Sequence, residues 1–575
     1  MDFRKISNLL NHSLWPIFLI VIITSIIYIQ AVQFDFVNYD DDGYVYQNPL
    51  VKSGISINGT IEAFAKVHKA NWIPLTLISY MTDTEIFGVS PAGYHFTNII
   101  FHVLNALLVF FFLRISTGRA WSGFFVAMLF AIHPLHVESV SWISERKDVL
   151  STFFGLCSII MYVRYAKKKE WEKYVAVFLL FLCSLMSKPM LVTLPMVFLL
   201  LDFWPLWRMS SNQISENFRN LLMLILEKLP FFILSLVFSL IAILSQKSGG
   251  AVGTTSRFPF PVRLMNAVVS YAEYLYKAFR PTNLSVIYPY QHNIGMLHLL
   301  ISIFVLLTIT CGVFFWNKKN PALLVGWSWF LITLLPVIGL IQVGTQSMAD
   351  RYTYFPLIGL SIAAVWAMHD FTIKFQLNKR IVGIVMAAII LTFSMMTVNQ
   401  VSTWKNSETL FAHALSVTRD NWVAHLNYGE ALIEKGEVDA AIDQYEKALA
   451  IKPDFELAYL NIGAAFAQKG QTDTAIAYYQ KALAIKQNLP TAWLNLGNAY
   501  FRKGMPDKAM THYETALSFK PNFAEVYCGI GAVMAGKGDL HKAMQAFQQA
   551  LDIDPGSILA RTSIRRIEQK MTTTQ

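Results

Sequence analysis

The sequence has few charged residues. Asp, Glu, Lys and Arg make up only 15% of its 575 residues, whereas 54% are hydrophobic, and the mean hydropathy is +0.42. Soluble globular chains carry about 25% charged residues. A chain of this length with so little charge cannot cover itself with a normal water-exposed surface, so we expect most of it to lie in a membrane.

Cysteine is also scarce, and the common nucleotide-binding and hydrolase motifs are missing. Cys157, Cys183, Cys311 and Cys528 are far apart, which excludes a disulfide framework or a cysteine metal cluster and predicts packed free thiols. No P-loop, Rossmann glycine pattern or G-x-S-x-G sequence occurs. The formal net charge of +10 is not arranged for nucleic acid, since zinc-finger spacings and basic-aromatic stripes are lacking.

Long apolar runs fill the first 400 residues. About twenty apolar residues in a helix cross the hydrocarbon core, and this length predicts eleven spans, near residues 14–33, 97–113, 121–137, 149–163, 174–187, 190–204, 229–245, 297–316, 322–341, 356–371 and 381–399. We expect the first span to be retained, because it is too long for a signal peptide and no small-residue cleavage site follows it.

The positive charge is confined to this apolar part. Residues 1–400 hold 29 Lys and Arg against 19 Asp and Glu, whereas residues 401–575 hold 18 of each. With a cytoplasmic N-terminus, most of the basic residues fall in the short loops on the cytoplasmic side, as the positive-inside rule requires. An odd number of spans then places residues 401–575 outside.

The last part of the chain is a repeat of 34 residues. Glycine recurs at Gly429, Gly463, Gly497 and Gly531, and a second glycine and an alanine keep the same period. This period with small residues is typical of tetratricopeptide repeats, in which paired helices approach closely. It predicts four full repeats at residues 421–454, 455–488, 489–522 and 523–556. Residues 404–420 match a preceding helix and residues 557–571 a polar final helix.

Three adjacent carboxylates follow the first span, in the sequence FVNYDDDGYVYQNP at residues 36–49. Asp40, Asp41 and Asp42 are flanked there by aromatic residues. Neighbouring carboxylates repel one another, which raises at least one pKa and suits a general base or a cation site. The alternative is an ordinary solvated turn, because Asp-Gly is common in turns.

The loop between the third and fourth spans, HPLHVESVSWISERKD at residues 133–148, is a second candidate. His133, His136 and Glu138 have a spacing that resembles a metal site. Pro134 interrupts that helix face, and no cysteine or third histidine is near, which disfavours zinc.

The same loop ends in alternating charges. Arg146 and Lys147 suit a lipid phosphate at the membrane interface, one by paired hydrogen bonds and the other as a point charge. Interfacial snorkelling is the alternative for both residues. Asp148 follows them directly.

Other charged residues lie close to predicted spans. Lys188 interrupts an apolar stretch, and Asp350 and Arg351 precede the tenth span. Charges at membrane depth are costly, so they indicate a functional site unless they only pair with one another. Residues 71–88 have apolar and aromatic residues at helical spacing and predict a helix along the membrane surface.

These motifs together resemble a known family. FVNYDDDGYVYQNP, HPLHVESVSWISERKDVLS, SKPMLVTLPMVFLLLDFWPL, VGTQSMADRYTYFPLIGL and the repeats resemble the TMTC (transmembrane and tetratricopeptide-repeat) O-mannosyltransferases and their bacterial relatives, of the GT-C superfamily. The resemblance covers nearly the whole chain. We therefore expect an all-α fold: a GT-C-like bundle in residues 1–400, with outer loops 34–96 and 246–296, followed by an outward-facing α-solenoid in residues 404–571.

The resemblance implies a polyprenyl-phosphate sugar donor and transfer on the outer face of the membrane. It also implies that an aspartate of the first outer loop is the catalytic base. Asp40 and Asp41 fall where the family's acidic pair falls, and Asp42 is additional, so the identity of the base stays open. The hypothesis is that Asp41 or Asp40 deprotonates the acceptor hydroxyl, which attacks the anomeric carbon.

The remaining candidate residues are assigned around this reaction. A developing negative charge on the leaving phosphate needs fixed cations, for which the candidates are Arg146, Lys147, Lys188 and Arg351. The residues expected to shape the sugar pocket or to orient these cations are His133, His136, Glu138, Asp148 and Asp350. The sequence requires no cofactor, and since GT-C enzymes have metal-dependent and metal-free branches, a divalent metal stays open.

The expected partners are the lipid-linked donor and, through the repeats, a polypeptide acceptor with Ser or Thr hydroxyls or another envelope protein. The expected location is a bacterial inner membrane, with the repeats periplasmic or extracellular. One alternative is a membrane-anchored scaffold without catalysis, since the repeats alone bind peptides. Another is a flippase or transporter, which is disfavoured because the polar motifs cluster at one face and not in mid-membrane.

Overall fold

A computed structural model describes residues 3–209, 214–248, 259–290, 294–317, 319–342 and 344–573. The chain forms two compact units, Met1–Arg419 and Asp420–Gln575. Within the described ranges, extended segments pair only at two isolated bridges, His68 with Asn71 and Pro289 with Gln346. The predicted all-α class is confirmed.

The first unit contains eighteen of the described helices. They are α1 (Phe3–Tyr28), α2 (Pro49–Lys52), α3 (Ile57–Ala65), α4 (Pro74–Phe87), α5 (Pro91–Thr117), α6 (Ala120–Ile132), α7 (Val137–Ser141), α8 (Arg146–Lys167), α9 (Trp171–Ser187), α10 (Leu194–Phe203), α11 (Ile214–Glu227), α12 (Leu229–Ser248), α13 (Phe260–Phe279), α14 (Met296–Trp316), α15 (Pro321–Leu334), α16 (Pro356–Lys374), α17 (Lys379–Ser402) and α18 (Ser407–Val417). Short 3-10 turns are Ile29–Gln33, Pro134–His136, Ile143–Glu145, Pro189–Thr193, Leu335–Val337 and Asp350–Thr353, and Asp42–Tyr46 is a π-helical turn.

Seven described helices are long and apolar enough to cross a membrane: Leu14–Gln33, Pro91–Thr117, Ile143–Lys167, Leu229–Ser248, Met296–Trp316, Pro356–Lys374 and Arg380–Ser402. An eighth candidate is the pair Ala120–Ile132 and Pro134–Ser141, bent by 54° where Pro134 cannot continue the helix. The three other predicted spans correspond to shorter helices in Trp171–Ser187, Pro189–Phe203 and Pro321–Val337. The chain is therefore a multi-pass membrane protein, and the count of eleven spans stays a prediction.

Backbone contact between helices fixes part of this bundle. Gly326 of α15 and Gly359 of α16 face each other so closely that a Cβ atom on Gly326 would lie 2.4 Å from the carbonyl oxygen of Gly359. Small residues of this kind let apolar helices pack where the hydrophobic effect does not drive them together. α16 is thereby held so that the turn Asp350–Thr353, at its start, reaches the site described below.

Two segments differ from the sequence interpretation, and a third contains a helix that the sequence did not specify. The apolar face of α4, in the predicted surface helix 71–88, packs inside the protein, with Leu77, Tyr80 and Met81 fully buried. The predicted outer loop 246–296 contains α13, although its residues 249–258 and 291–293 lie outside the described ranges. α18, which the repeat pattern placed with residues 404–571, belongs to the compact first unit.

The four cysteines are free. Cys528 is buried and Cys157 and Cys183 are half-buried, as expected of packed thiols. Cys311 is exposed, so the prediction of packing is wrong for it. It lies on α14, a helix whose large apolar side chains are mostly exposed.

The second unit consists of paired helices. They are α19 (Trp422–Glu434), α20 (Val438–Ile451), α21 (Glu456–Gln468), α22 (Thr472–Ile485), α23 (Pro490–Arg502), α24 (Pro506–Phe519), α25 (Ala524–Gly536), α26 (Leu540–Ile553) and α27 (Ile558–Thr573). The repeated glycine permits each pairing: a Cβ atom on Gly497 would lie 2.4 Å from Cε1 of Tyr513. The 34-residue period is thus explained by close packing of the two helices of each repeat.

Candidate active site

The acidic loop, Asp40–Asp42, lies after the end of α1, where α5, α8 and α16 begin. Asp41 is buried, and its carboxylate accepts hydrogen bonds from the backbone N–H of Val37 (3.0 Å) and from the N–H (2.9 Å) and hydroxyl (2.5 Å) of Ser144. Burial raises the pKa of Asp41 to about 7, although these hydrogen bonds oppose the rise. Asp41 therefore ties the loop to the turn that precedes α8.

Asp40 and Asp42 are half-buried and differ from Asp41 in their partners. Asp42 forms an ion pair with Lys69, with 3.3 Å between Oδ1 and Nζ. Asp40 has a positive φ of 70°, which Asp tolerates better than most residues. No hydrogen bond joins the Asp40 carboxylate to another described residue, so it has fewer partners than the carboxylates of Asp41 and Asp42.

Five charged side chains form the charge cluster: Glu138, Glu145, Lys147, Lys188 and Arg351. Arg351 binds Glu138 through its guanidinium and its backbone N–H, and its Nε lies 3.4 Å from Glu145. Lys147 and Lys188 lie 3.3 and 2.8 Å from the carboxylate oxygens of Glu145. Because all five are buried or nearly so, each charge depends on its partners for stabilisation.

Two further acids flank this cluster. Asp148 accepts hydrogen bonds from Lys188 (2.7 Å) and from Ser139 (3.1 Å). Asp350 accepts a hydrogen bond from the Tyr288 hydroxyl (2.9 Å), and burial raises its pKa to about 8. Predicted residues from three distant parts of the sequence thus lie together.

A small cavity adjoins the cluster. It is lined by residues that include Glu138, Ser285, Asp350, Gln400, Trp404 and His413. The sequence analysis assigned Glu138 and Asp350 to a sugar pocket, and both face this cavity. Trp404 and His413 come from the segment that leads into the repeats.

Arg146 is separate from the charge cluster, although it precedes Lys147. Its guanidinium is fully buried and lies 2.6 Å from Asp83 of α4, and it also donates to the Tyr94 carbonyl oxygen (2.8 Å) and to Asn98. The ring of Tyr80 lies 5.2 Å from the guanidinium carbon. Successive helix positions point about 100° apart, which gives Arg146 and Lys147 different surroundings.

The two histidines of the loop are packed core residues. His133 lies 3.0 Å from the Ala278 carbonyl oxygen and accepts a hydrogen bond from the N–H of Leu135. His136 contacts the Phe130 carbonyl oxygen at 2.7 Å. Neither histidine joins the charge cluster. Among the described residues, no three His, Cys, Asp or Glu side chains are grouped as metal ligands.

An aromatic stack joins the parts of the site. Trp142 stacks on Tyr39 of the acidic loop segment (5.2 Å) and on Trp404 (5.8 Å), and its indole N–H donates to the Tyr39 carbonyl oxygen. The Arg351 guanidinium lies 5.4 Å from the Trp142 ring, and Lys147 lies 4.8 Å from the ring of Tyr44. Aromatic faces attract cations of this kind.

The sequence interpretation missed Lys69, Asp83 and Glu145. Glu145 stood in the quoted motif between Ser144 and Arg146 and was the one acid there without an assigned role. Asp83 faces inward from α4, and only a helical-wheel comparison with the buried Tyr80 would have indicated it. Lys69 lies in a loop without periodicity, so no pattern marked it.

The arrangement combines a half-buried carboxylate, buried cations held by acids and a cavity beside them. Such fixed charges stabilise charge that develops during a reaction, because they need no reorganisation when it appears. A carboxylate that a substrate hydroxyl group can reach accepts the proton of that hydroxyl. The site is therefore equipped for proton abstraction beside an anionic leaving group.

Two regions of the chain match protein-family models. Residues 68–244 match the family described as dolichyl-phosphate-mannose-protein mannosyltransferase. Residues 429–470, 464–504, 490–523 and 524–557 match tetratricopeptide repeats. The first match begins one residue before Lys69 and includes most of the charge cluster.

The chain is similar to curated protein O-mannosyl-transferases. It is 25% identical over 457 residues to one from Caenorhabditis elegans, covering 75% of this chain and 62% of that protein. It is 25% identical over 479 residues to human TMTC1 (73% and 53%) and 22% identical over 420 residues to human TMTC3 (68% and 45%). The chain thus spans 45–62% of the length of these relatives.

Among solved structures, the crystal structure of MamA is 28% identical and covers 25% of this chain and 85% of that chain, with a TM-score of 0.23. The crystal structure of YrrB, a tetratricopeptide-repeat protein with an unusual peptide-binding site, is 23% identical and covers 29% of this chain and 86% of that chain, with a TM-score of 0.25.

Proposed function

We propose that this chain, which joins a mannosyltransferase region to tetratricopeptide repeats and is homologous to the TMTC protein O-mannosyl-transferases, is a membrane glycosyltransferase. It moves a sugar from a polyprenyl-phosphate donor to an acceptor hydroxyl, and mannose is the sugar in the relatives' names. The observation that carries the proposal is that hydrogen bonds, a ring stack and cation–ring contacts join the acidic loop and its flanking aromatic residues to the charge cluster.

Asp40 is the general base in this proposal. Its carboxylate is half-buried and has no hydrogen bond with another described residue, whereas Asp41 is buried and accepts three hydrogen bonds. A base must be able to reach the proton that it removes. Asp40 accepts the proton of the acceptor hydroxyl, whose oxygen forms a bond to the anomeric carbon.

The bond from the anomeric carbon to the phosphate oxygen breaks in the same step, and its electron pair leaves on the polyprenyl phosphate. Lys147 and Arg351 stabilise this negative charge, because they are held beside the acidic loop by Glu138, Glu145 and aromatic rings. Lys188 supports them by neutralising Glu145 and Asp148. Arg146 takes no part, since Asp83 and the Tyr94 carbonyl engage it in the core.

Asp41 is a positioning residue. Its hydrogen bonds to Val37 and Ser144 fix the backbone next to Asp40 against the turn that precedes α8. Glu138 and Asp350, which line the small cavity beside the cluster, orient the cations of the charge cluster in this proposal. The proposal leaves open whether a divalent metal takes part, because the reaction as written does not require one.

The acceptor in this proposal is a polypeptide hydroxyl, and the tetratricopeptide repeats bind that polypeptide or a partner protein. The site faces the outer side of a bacterial inner membrane, as the positive-inside distribution of the first 400 residues supports. The lipid donor then reaches the site from the membrane, and the acceptor reaches it from outside.

The test is transfer from radiolabelled polyprenyl-phosphate mannose to a Ser/Thr-rich peptide by the full chain in proteoliposomes. We expect Asp40→Asn to reduce kcat by about 100-fold or more, as removal of a general base does, and Asp42→Asn to change it far less. Asp41→Asn should lower activity together with stability. Wild-type activity of Asp40→Asn would refute the assignment of the base, and a complete lack of transfer with several sugars would favour the scaffold.

A further inference from the structure

A strained turn lies over the acidic loop. His68 and Asn71 pair through two backbone hydrogen bonds (2.9 and 2.8 Å) across Lys69 and Ala70. Both central residues have positive φ, 45° and 61°, a pattern that turns normally fill with Asn-Gly. Lys-Ala in this conformation is unfavourable, and strain of this kind persists only where the surroundings impose it.

The surroundings of the turn are specific. The Tyr44 hydroxyl donates to the Lys69 carbonyl oxygen (3.3 Å) and accepts from the side-chain amide of Asn71 (2.6 Å), which also donates to that carbonyl oxygen (3.0 Å). The Lys69 side chain crosses Gly43, where an added Cβ atom would lie 1.7 Å from its Cε atom. The ammonium group is thereby held over the acidic loop, 3.3 Å from Asp42.

Lys69 is also more exposed than the four cations described above. Its side chain is 41% exposed, whereas those of Arg146, Lys147, Arg351 and Lys188 are 0%, 9%, 10% and 16% exposed. Each of these four is paired with a buried carboxylate. An exposed ion pair such as Lys69–Asp42 contributes little and exchanges its partner readily.

The turn and the residue after it contact α12, which is a candidate membrane span. Trp72 follows it directly, packs on Phe238 of the candidate span α12 (5.7 Å), and donates its indole N–H to the Phe64 carbonyl oxygen (2.8 Å). Gln246, near the end of α12, donates to the Asn71 side chain (2.8 Å). Both α12 and α3 have large apolar side chains that are exposed: Leu240, Leu244, Ile57 and Ile61.

We propose that Lys69 binds the phosphate of the polyprenyl-phosphate donor as it enters from the membrane. The ammonium group exchanges Asp42 for the phosphate, while the prenyl chain lies along the apolar surface next to Trp72. This inference rests on the proposed function for the class of donor. Lys69 is a recognition residue for the donor, and the buried cations act on the leaving group.

The experiment measures binding of decaprenyl phosphate, and of decaprenol as a control, to the full chain in phosphatidylcholine nanodiscs. Lys69→Met should weaken binding of the phosphate roughly tenfold or more, the loss expected for one charge-assisted hydrogen bond, and leave binding of decaprenol unchanged. Lys69→Arg should restore it. Lys66→Met is the matched control, because Lys66 has the same side chain, lies three residues away and pairs with the exposed Glu62.

A second variant tests the exchange of partners. Asp42→Asn removes the competing carboxylate, so it should tighten binding of decaprenyl phosphate several-fold. Equal binding of the phosphate by wild type and Lys69→Met, or weaker binding by Asp42→Asn, would overturn the inference. Phosphatidic acid in the nanodiscs is the other phosphate source, and competition by it as strong as by decaprenyl phosphate would overturn the assignment to the donor.

The transfer assay separates this inference from the proposed function. Sugar transfer with binding that is independent of Lys69 would refute the inference alone. Binding that depends on Lys69 without transfer by the wild type would refute the proposed function and leave the phosphate site standing.

Discussion

Replacing Arg146 by methionine removes a buried positive charge and leaves its partner Asp83 without compensation. The guanidinium is fully buried, 2.6 Å from Asp83, whose own side chain is 4% exposed. Breaking a buried ion pair by removing one partner costs about 3–5 kcal/mol. The hydrogen bonds to Tyr94 and Asn98 are lost as well. We therefore expect the free energy of unfolding of the first unit to fall by about 3–5 kcal/mol.

Asp83→Asn should have a similar cost, since it leaves the guanidinium unpaired. The double variant Asp83→Asn with Arg146→Met should lose less than the sum of the two single losses, because neither charge then remains buried alone. Burial raises the pKa of Asp83 although Arg146 lowers it. The pair is thus held in spite of the cost of burying both charges.

The assay is unfolding by SDS in mixed micelles, followed by tryptophan fluorescence, with the KM for the lipid donor measured in parallel. Arg146→Met should unfold at a lower SDS fraction, and the molecules that remain folded should keep a normal donor KM. Unchanged unfolding with a strongly raised donor KM would refute the reasoning. It would return Arg146 to the role of phosphate ligand that the sequence predicted.

Three further predictions concern other parts of the chain. Burial raises the pKa of Asp350 to about 8, so the folded state binds the proton more tightly than the unfolded state, and the contribution of this group to stability is lost as pH rises from about 4 to 8. Asp350→Asn should reduce the pH dependence of SDS unfolding between pH 5 and 8, and an unchanged dependence would contradict this. Gly497→Ala should destabilise the repeats by about 1–3 kcal/mol, because the added methyl group collides with Tyr513. Circular dichroism of the full chain should show a lower melting midpoint, and an unchanged midpoint would contradict this packing. Trp404→Ala should cost about 3–5 kcal/mol, because it removes a buried ring from the stack on Trp142. The first unit should then unfold at a lower SDS fraction, and unchanged unfolding would count against the stack.

The sequence predicts the same phosphate-binding role for Arg146 and Lys147, although their side chains point in different directions. Arg146 and Lys147 both begin α8, yet the first pairs with α4 and the second joins the charge cluster. Arg351 precedes a predicted span, and the structure places it in the charge cluster with Glu138 and Glu145; its role toward the phosphate stays a prediction. His133 and His136 lie outside the charge cluster, because their ring nitrogens contact carbonyl oxygens in the core.

The sequence by itself determined that this is a multi-pass helical membrane protein with a repeat unit after it. Composition and a 34-residue period suffice for that, because long apolar runs and regularly spaced glycines act locally along the chain. It also located the acidic loop, whose three carboxylates are adjacent. Only the tertiary structure decided which charges meet. Asp83 lies 63 residues from Arg146, Ser144 lies 103 residues from Asp41, and Asp42 lies 27 residues from Lys69. Burial and helix orientation, which no local pattern carries, select these partners.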